Sequence, residues 1–185
     1  MKLPTMLMAG AVLLSGTALA QHAGHGDGPA TPYAGLQARE IKALSPEEAR
    51  GLLEGQAMRL ALAAELNGYP GPTHVLELAE PLQLTPAQRS ATEALMHSHK
   101  AEARDIGAQA LAAERELDLA FARKTVTEAE LSRLTARIGE LQARLRAAHL
   151  RTHLQQTALL TPHQVHGYQR LRGYAAAPGA QQEKH

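Results

Sequence analysis

The pentapeptide Leu-Thr-Pro-x-Gln stands twice in the chain, at Leu84–Gln88 and Leu160–Gln164, and each copy dictates where a helix begins. A threonine just ahead of a helix offers its hydroxyl to a backbone N–H that has no partner inside the helix. Proline fits the first helical position, where a missing N–H costs nothing. Glutamine three residues after the threonine reaches back to the N-cap amide and completes a capping box. Thr85 and Gln88 form one such box and Thr161 and Gln164 the other, with Leu84 and Leu160 placed to pin the incoming chain. Ser45-Pro46-Glu47-Glu48 and Thr127-Glu128-Ala129-Glu130 are further versions, capped by Ser45 with Glu48 and by Thr127 with Glu130. Losing a capping threonine costs on the order of 1 kcal/mol, so the repeat is structural: it starts helices.

Helical periodicity fills the space between these starts, and no stretch alternates like a strand. The first helix is expected from Ser45, with apolar residues at Leu53, Ala57, Leu60 and Ala64, stopping in Asn67-Gly68-Tyr69-Pro70-Gly71-Pro72. The segment after His74 has room for one or two helical turns before Pro81. A long helix is expected from Pro86 to Ala122, about 55 Å at 1.5 Å per residue. Its stripe reads Thr92, Leu95, His99, Ile106, Ala110, Ala113, Leu117 and Phe121. A third helix opens after Thr127 and carries Leu131, Leu134, Ile138, Leu141, Leu145 and Ala148 as a heptad-like seam. Only Arg123–Val126 separates the two, and so short a link implies antiparallel neighbours. Residue i then lies level with roughly residue 249 minus i. The fold class expected is all-α: a long antiparallel helical hairpin with flanking N- and C-terminal helices. Stripes this long on Ala-rich helices leave apolar surface that one thin hairpin does not cover, which points to a homodimer.

The ends read differently. Residues 1–20 have the form of a secretory signal, with Lys2, an apolar run from Met6 to Leu14 and small residues at Ala18 and Ala20. The run is shorter than the roughly 20 residues a bilayer demands, so cleavage after Ala20 and export are expected, with no membrane insertion afterwards. Residues 21–44, rich in His, Gly and Pro, read as a flexible arm, residues 45–174 as the helical domain, and residues 175–185 as a loose tail. The chain has no cysteine, which removes disulfides, thiol nucleophiles and thiolate metal sites. Without Lys2 the basic and acidic side chains balance at 18 each. That leaves none of the basic excess by which nucleic-acid binders are recognised.

Two Leu-Thr-x-x-Gln boxes bracketing a helical hairpin behind a signal sequence resemble the LTxxQ group of periplasmic proteins. The resemblance runs from Ser45 to Tyr174 and is firmest at Leu84–Gln88 and Leu160–Gln164. It implies a bent hairpin, a dimer with a concave face, no catalysis, and work in envelope stress or heavy-metal resistance. Spy/CpxP-like members are ATP-independent chaperones for unfolded proteins, whereas ZraP/CnrX-like members bind metals. The chaperone surface is expected to be basic; the neutral mature chain departs from that.

Ten histidines bear on the choice. His149 and His153 lie at i and i+4 on one helical face, the spacing of half a zinc, nickel or copper site. The hairpin register brings Met96, His97 and His99 to the same height. His99 belongs to the inward stripe, and His97, two residues away, points elsewhere. Met96 adds a soft thioether one turn from His99. The candidate metal set is therefore Met96, His99, His149 and His153, with His97 and the arm residues His22 and His25 as weaker members. The alternative is a polar layer in the seam, with His99 bonded to a neighbouring side chain. In CnrX-like sensors the His-x-x-x-His pair is on the first helix, so none of their ligands transfers to this chain. His163 and His166 sit near a helix N-terminus, where a cation is disfavoured. His74 reads as a loop or first-turn residue.

Two functions remain: a metal-binding sensor or buffer, and a chaperone holding unfolded proteins. A membrane-bound regulator is a further partner for the first. A hydrolase fails on content, because the chain has no nucleophile elbow and no His-Glu-x-x-His motif.

Overall fold

The computed structural model describes residues 31–174. Among them every regular element is helical: a 3-10 turn at Leu36–Ala38, then α1 (Pro46–Glu54), α2 (Leu62–Glu65), α3 (Pro72–Glu77), α4 (Pro86–Ala122), α5 (Glu128–Leu159) and α6 (Pro162–Leu171). The signal sequence, His22, His25 and the tail from residue 175 lie outside the described residues.

The hairpin of α4 and α5 reverses at Arg123–Thr127. Lys124 takes a left-handed φ of 55°, and the amides of Lys124 and Thr125 turn back to the carbonyls of Phe121 and Ala120. Thr127 then accepts from the Glu130 amide at 3.3 Å. This box is half made, because the Glu130 side chain does not return to the Thr127 amide; that return bond is part of the boxes at Ser45, Thr85 and Thr161. The register follows the turn: Arg133 reaches Glu116 at 2.6 Å, and 249 minus 116 is 133.

In the seam, Ala103, Ile106, Ala110 and Ala113 of α4 face Ile138, Leu141, Leu145 and Ala148 of α5. Mostly small side chains on α4, Ile106 excepted, against mostly large ones on α5 let the two approach closely and leave few voids. Phe121, counted in the inward stripe, is instead 55 % exposed, because the stripe runs out at the turn and nothing packs over it.

The first helix is shorter than the periodicity suggests. Gly55 adopts φ 65° and ends α1, with its amide on the Gly51 and Leu52 carbonyls. Met58 and Arg59 also take positive φ, so the chain breaks and resumes as α2 at Leu62. The break lets Leu52 and Leu60 both pack on the hairpin core. Residues 40–42, assigned to the arm from sequence, also rest on α4: Ile41 is 4 % exposed, and Lys42 bonds Asp118 through both its amide and its ammonium at 3.0 Å.

At the other end the two Leu-Thr-Pro-x-Gln boxes meet. The Gln88 amide donates to Gln164 Oε1 at 2.9 Å, and the Gln164 amide donates to Gln88 Oε1 at 3.0 Å. Each oxygen also accepts its own threonine N–H, at 3.0 Å from Thr85 and 2.9 Å from Thr161. The second hydrogens go to the Leu159 and Leu82 carbonyls. Leu160 joins Val75, Leu82 and Tyr168 in a second core, with Leu84 against it. The boxes therefore cap α4 and α6 and also clasp them together.

Gly107 shows how closely α1 rides on α4: a Cβ there would stand 2.1 Å from the Leu52 carbonyl oxygen. At Gly139, on α5, a Cβ meets open space. Gly139→Ala should gain about 0.5–1 kcal/mol from helix propensity. Gly107→Ala should instead lose about 1–3 kcal/mol by overpacking. Urea unfolding of the two variants measures both, and equal gains would contradict the contact between α1 and α4.

Candidate functional site

Above the apolar seam, towards the clasp, the interior becomes polar. Gln156 donates to Thr92 Oγ1 at 3.2 Å, and Thr92 returns its own proton to the Gln88 carbonyl at 2.8 Å. Two turns nearer the hairpin tip, His99 of α4 and His149 of α5 meet edge-to-face, with ring centroids 4.6 Å apart. Burial inside a two-helix seam leaves few partners for a ring nitrogen. Among the described residues, His99 Nδ1 and His149 Nε2 are buried without a hydrogen bond.

That environment favours the neutral imidazole. His149, 3 % exposed, is pushed down to about 4, chiefly by burial and then by the charges of His99 and His153. Burial likewise lowers His99, with Glu102 opposing it. Both rings keep lone pairs at neutral pH, the form in which imidazole binds a metal.

His153, one turn beyond His149, is oriented by the chain around it. Its Nδ1 lies 2.7 Å from the Tyr69 carbonyl oxygen. A carbonyl only accepts, so Nδ1 carries the proton and Nε2 is left with the lone pair of a neutral ring. The ring lies against Gly71, where a Cβ would come within 2.8 Å of Cε1; the bare backbone there admits the imidazole. Met96 shares the cleft wall, with its sulfur 3.8 Å from Thr73 Oγ1. His97 is exposed on the outer face of α4.

Met96, His99, His149 and His153 thus line one cleft of about 670 Å³, closed on its far side by the segment from Gly55 to His74. His74 lies in α3 on the same wall and pairs with Glu77 at 2.9 Å. The imidazoles do not all converge: among the described residues no three His, Asp or Glu side chains form a ready metal centre. His99 and His149 meet in the seam, while His153 turns towards Tyr69. The unpaired nitrogens make His99 and His149, with His153 in the same cleft, the residues that could hold a metal ion once their rings turned towards one another.

Sequence reasoning missed Glu65. It ends α2 at the back of the cleft, 7 % exposed, with Oε2 3.8 Å from His153 Nδ1. The break of the first helix at Gly55 brings it there. A lone buried glutamate after Ala63-Ala64 was the available signal, legible only once that break is known.

The pH dependence of stability follows from His149. Unfolded histidine takes its proton near pH 6.5, folded His149 only near 4. Between those values the unfolded chain binds the extra proton, so stability is present above 6.5 and drains as pH falls towards 4. Against His149→Gln, the protein should lose stability in this window at up to about 1.4 kcal/mol per pH unit. Urea unfolding at a series of pH values measures it, and parallel curves for the two proteins would contradict the buried neutral ring.

A family model described as LTXXQ motif family protein matches residues 73–172, more than half of the chain and a span containing both glutamine boxes. No curated protein and no solved structure gives a match. With the paired boxes, the hairpin they close and this match together, the chain belongs to the LTXXQ motif family.

Proposed function

We propose that this protein is a non-catalytic periplasmic binding protein that takes up a transition-metal ion, as a sensor or buffer in heavy-metal resistance. His99, His149 and His153 are its nitrogen donors and Met96 a softer thioether on the cleft wall. The observation that carries the reading is the contact of buried His149 with half-buried His99, each ring having one buried nitrogen without a hydrogen bond. Burying an unpaired polar atom costs about 1–3 kcal/mol, and a metal ion offsets that cost directly. Neutral imidazoles suit zinc, nickel or copper, and such an ion would supply the positive charge that organises the rings. The backbone carbonyl on His153 Nδ1 is the kind of outer contact that fixes a ligating imidazole. Export rests on the leader-like residues 1–20 and the family resemblance. Among the described residues no helix is long and apolar enough to cross a membrane. The working unit in this reading is a homodimer, and a membrane-bound regulator is a natural partner for a sensor.

A second reading, an ATP-independent chaperone, is favoured by a different feature. At the hairpin tip Ile41, Leu117 and Phe121 line an apolar groove of about 450 Å³, and Phe121 is exposed beside Leu119. Unfolded segments seek such surface.

One protocol separates the two. Calorimetric titration of the tag-free protein with Zn²⁺, Ni²⁺ and Cu²⁺ should give sub-micromolar binding that weakens at least tenfold in His149→Ala. Binding unchanged in that variant would overturn the imidazole site. The chaperone reading gains instead if the metal-free protein suppresses aggregation of a model client while Phe121→Ser does not.

A further inference from the structure

Glu65 sits where the cleft and α6 share a wall. Its Oε1 accepts the Tyr168 hydroxyl at 2.5 Å and lies 3.7 Å from Arg172 Nε. Its Oε2 faces the other way, buried, with no hydrogen-bond partner among the described residues, and His153 Nδ1 is 3.8 Å away. Arg172 Nε is likewise buried without a hydrogen bond. One carboxylate is thus divided between two neighbours: its satisfied oxygen holds the second half of α6, and its unsatisfied oxygen looks into the histidine cleft.

The rest of α6 is held by other means. Its first turn is fixed by the Gln88–Gln164 clasp. Tyr168 is fully buried in the second core, and burial together with the Glu65 carboxylate pushes its phenol above the usual range, so that it remains a donor. The last turn, from Gly167 to Arg172, takes its polar anchorage from Glu65, with the Gly71 backbone also bonding the Tyr168 hydroxyl and Arg172 contacting the Tyr174 hydroxyl at 3.1 Å.

We propose that Glu65 couples the cleft to α6, so that a cation held among the histidines draws on the carboxylate and loosens the last turn of the helix. The coupling rests on the metal-binding reading above. A positive ion on His153 Nε2 strengthens the pull of the Nδ1–H that lies 3.8 Å from Oε2. That draws charge from the group Tyr168 and Arg172 share, and charge-assisted bonds weaken as their acceptor loses charge. Linkage makes the effect reciprocal: whatever Arg172 takes from Glu65 is lost to a cation in the cleft. The C-terminal end of the domain then reports whether the cleft is filled, which a sensor requires and a simple buffer does not.

Zinc titration of the full chain, joined to hydrogen exchange, tests this. Arg172→Gln, which removes the competing cation, should bind Zn²⁺ at least threefold more tightly than the natural protein. Arg172→Lys, which keeps the charge, should stay within twofold of it. Zinc should speed exchange of the amides from Gly167 to Arg172 several-fold and leave the middle of α4 unchanged. If zinc binds but Arg172→Gln keeps the original affinity and α6 exchanges at the same rate, the coupling is wrong and the metal site stands. If the natural protein binds no zinc, nickel or copper, the metal reading falls and the coupling with it.

Discussion

Two side-chain amides, Gln88 and Gln164, hold together the end of the molecule on which everything else depends. Each nitrogen donates twice, and each oxygen accepts from the other glutamine and from its own threonine's amide, with that threonine's hydroxyl also in reach, so no group is left over. Glutamine is the side chain that achieves this, because an amide both donates and accepts; a carboxylate would only accept and would face its own charge. The clasp fixes where α4 begins and where α5 gives way to α6. It thereby holds, at the open end, the register that the turn sets.

The hairpin spends its length in two ways. Near the turn, a seam of alanine, isoleucine and leucine packs the helices together, flanked by side-chain bonds such as Arg133–Glu116 and Arg137–Gln109. Towards the clasp the seam becomes polar, with His99 against His149 and then Thr92 against Gln156. Buried polar layers stabilise less than apolar ones unless fully bonded, and here several atoms are not. The firm clasp on one side and the apolar seam on the other hold this under-satisfied layer in place. That is how a thin two-helix structure keeps two imidazoles in its seam, and it is this layer, more than the histidine count, that supports the metal proposal.

Much of this was legible in the sequence. The caps at Ser45, Thr85 and Thr161 are local chemistry, written within four residues, and the length of α4 and the antiparallel turn follow from periodicity and a short link. The facing of His99 and His149 came from counting back from the turn. What was hidden is long-range or conformational. Nothing within Leu-Thr-Pro-x-Gln says that its glutamine will bond the other glutamine, since that contact spans seventy-six residues. The apolar spacing from Leu53 to Ala64 suits one helix, but Gly55 in a left-handed conformation ends it early. With that break the segment folds back over the hairpin and carries Glu65 to the histidines.

The most direct test is a double-mutant cycle on the clasp, with Gln88→Ala, Gln164→Ala and the pair compared by urea unfolding. If the two amides satisfy one another, the single losses overlap, and the double variant should fall short of their sum by about 1–2 kcal/mol. Losses that simply add would mean that each glutamine caps only its own helix, and the height of the histidines would then owe nothing to the repeated motif.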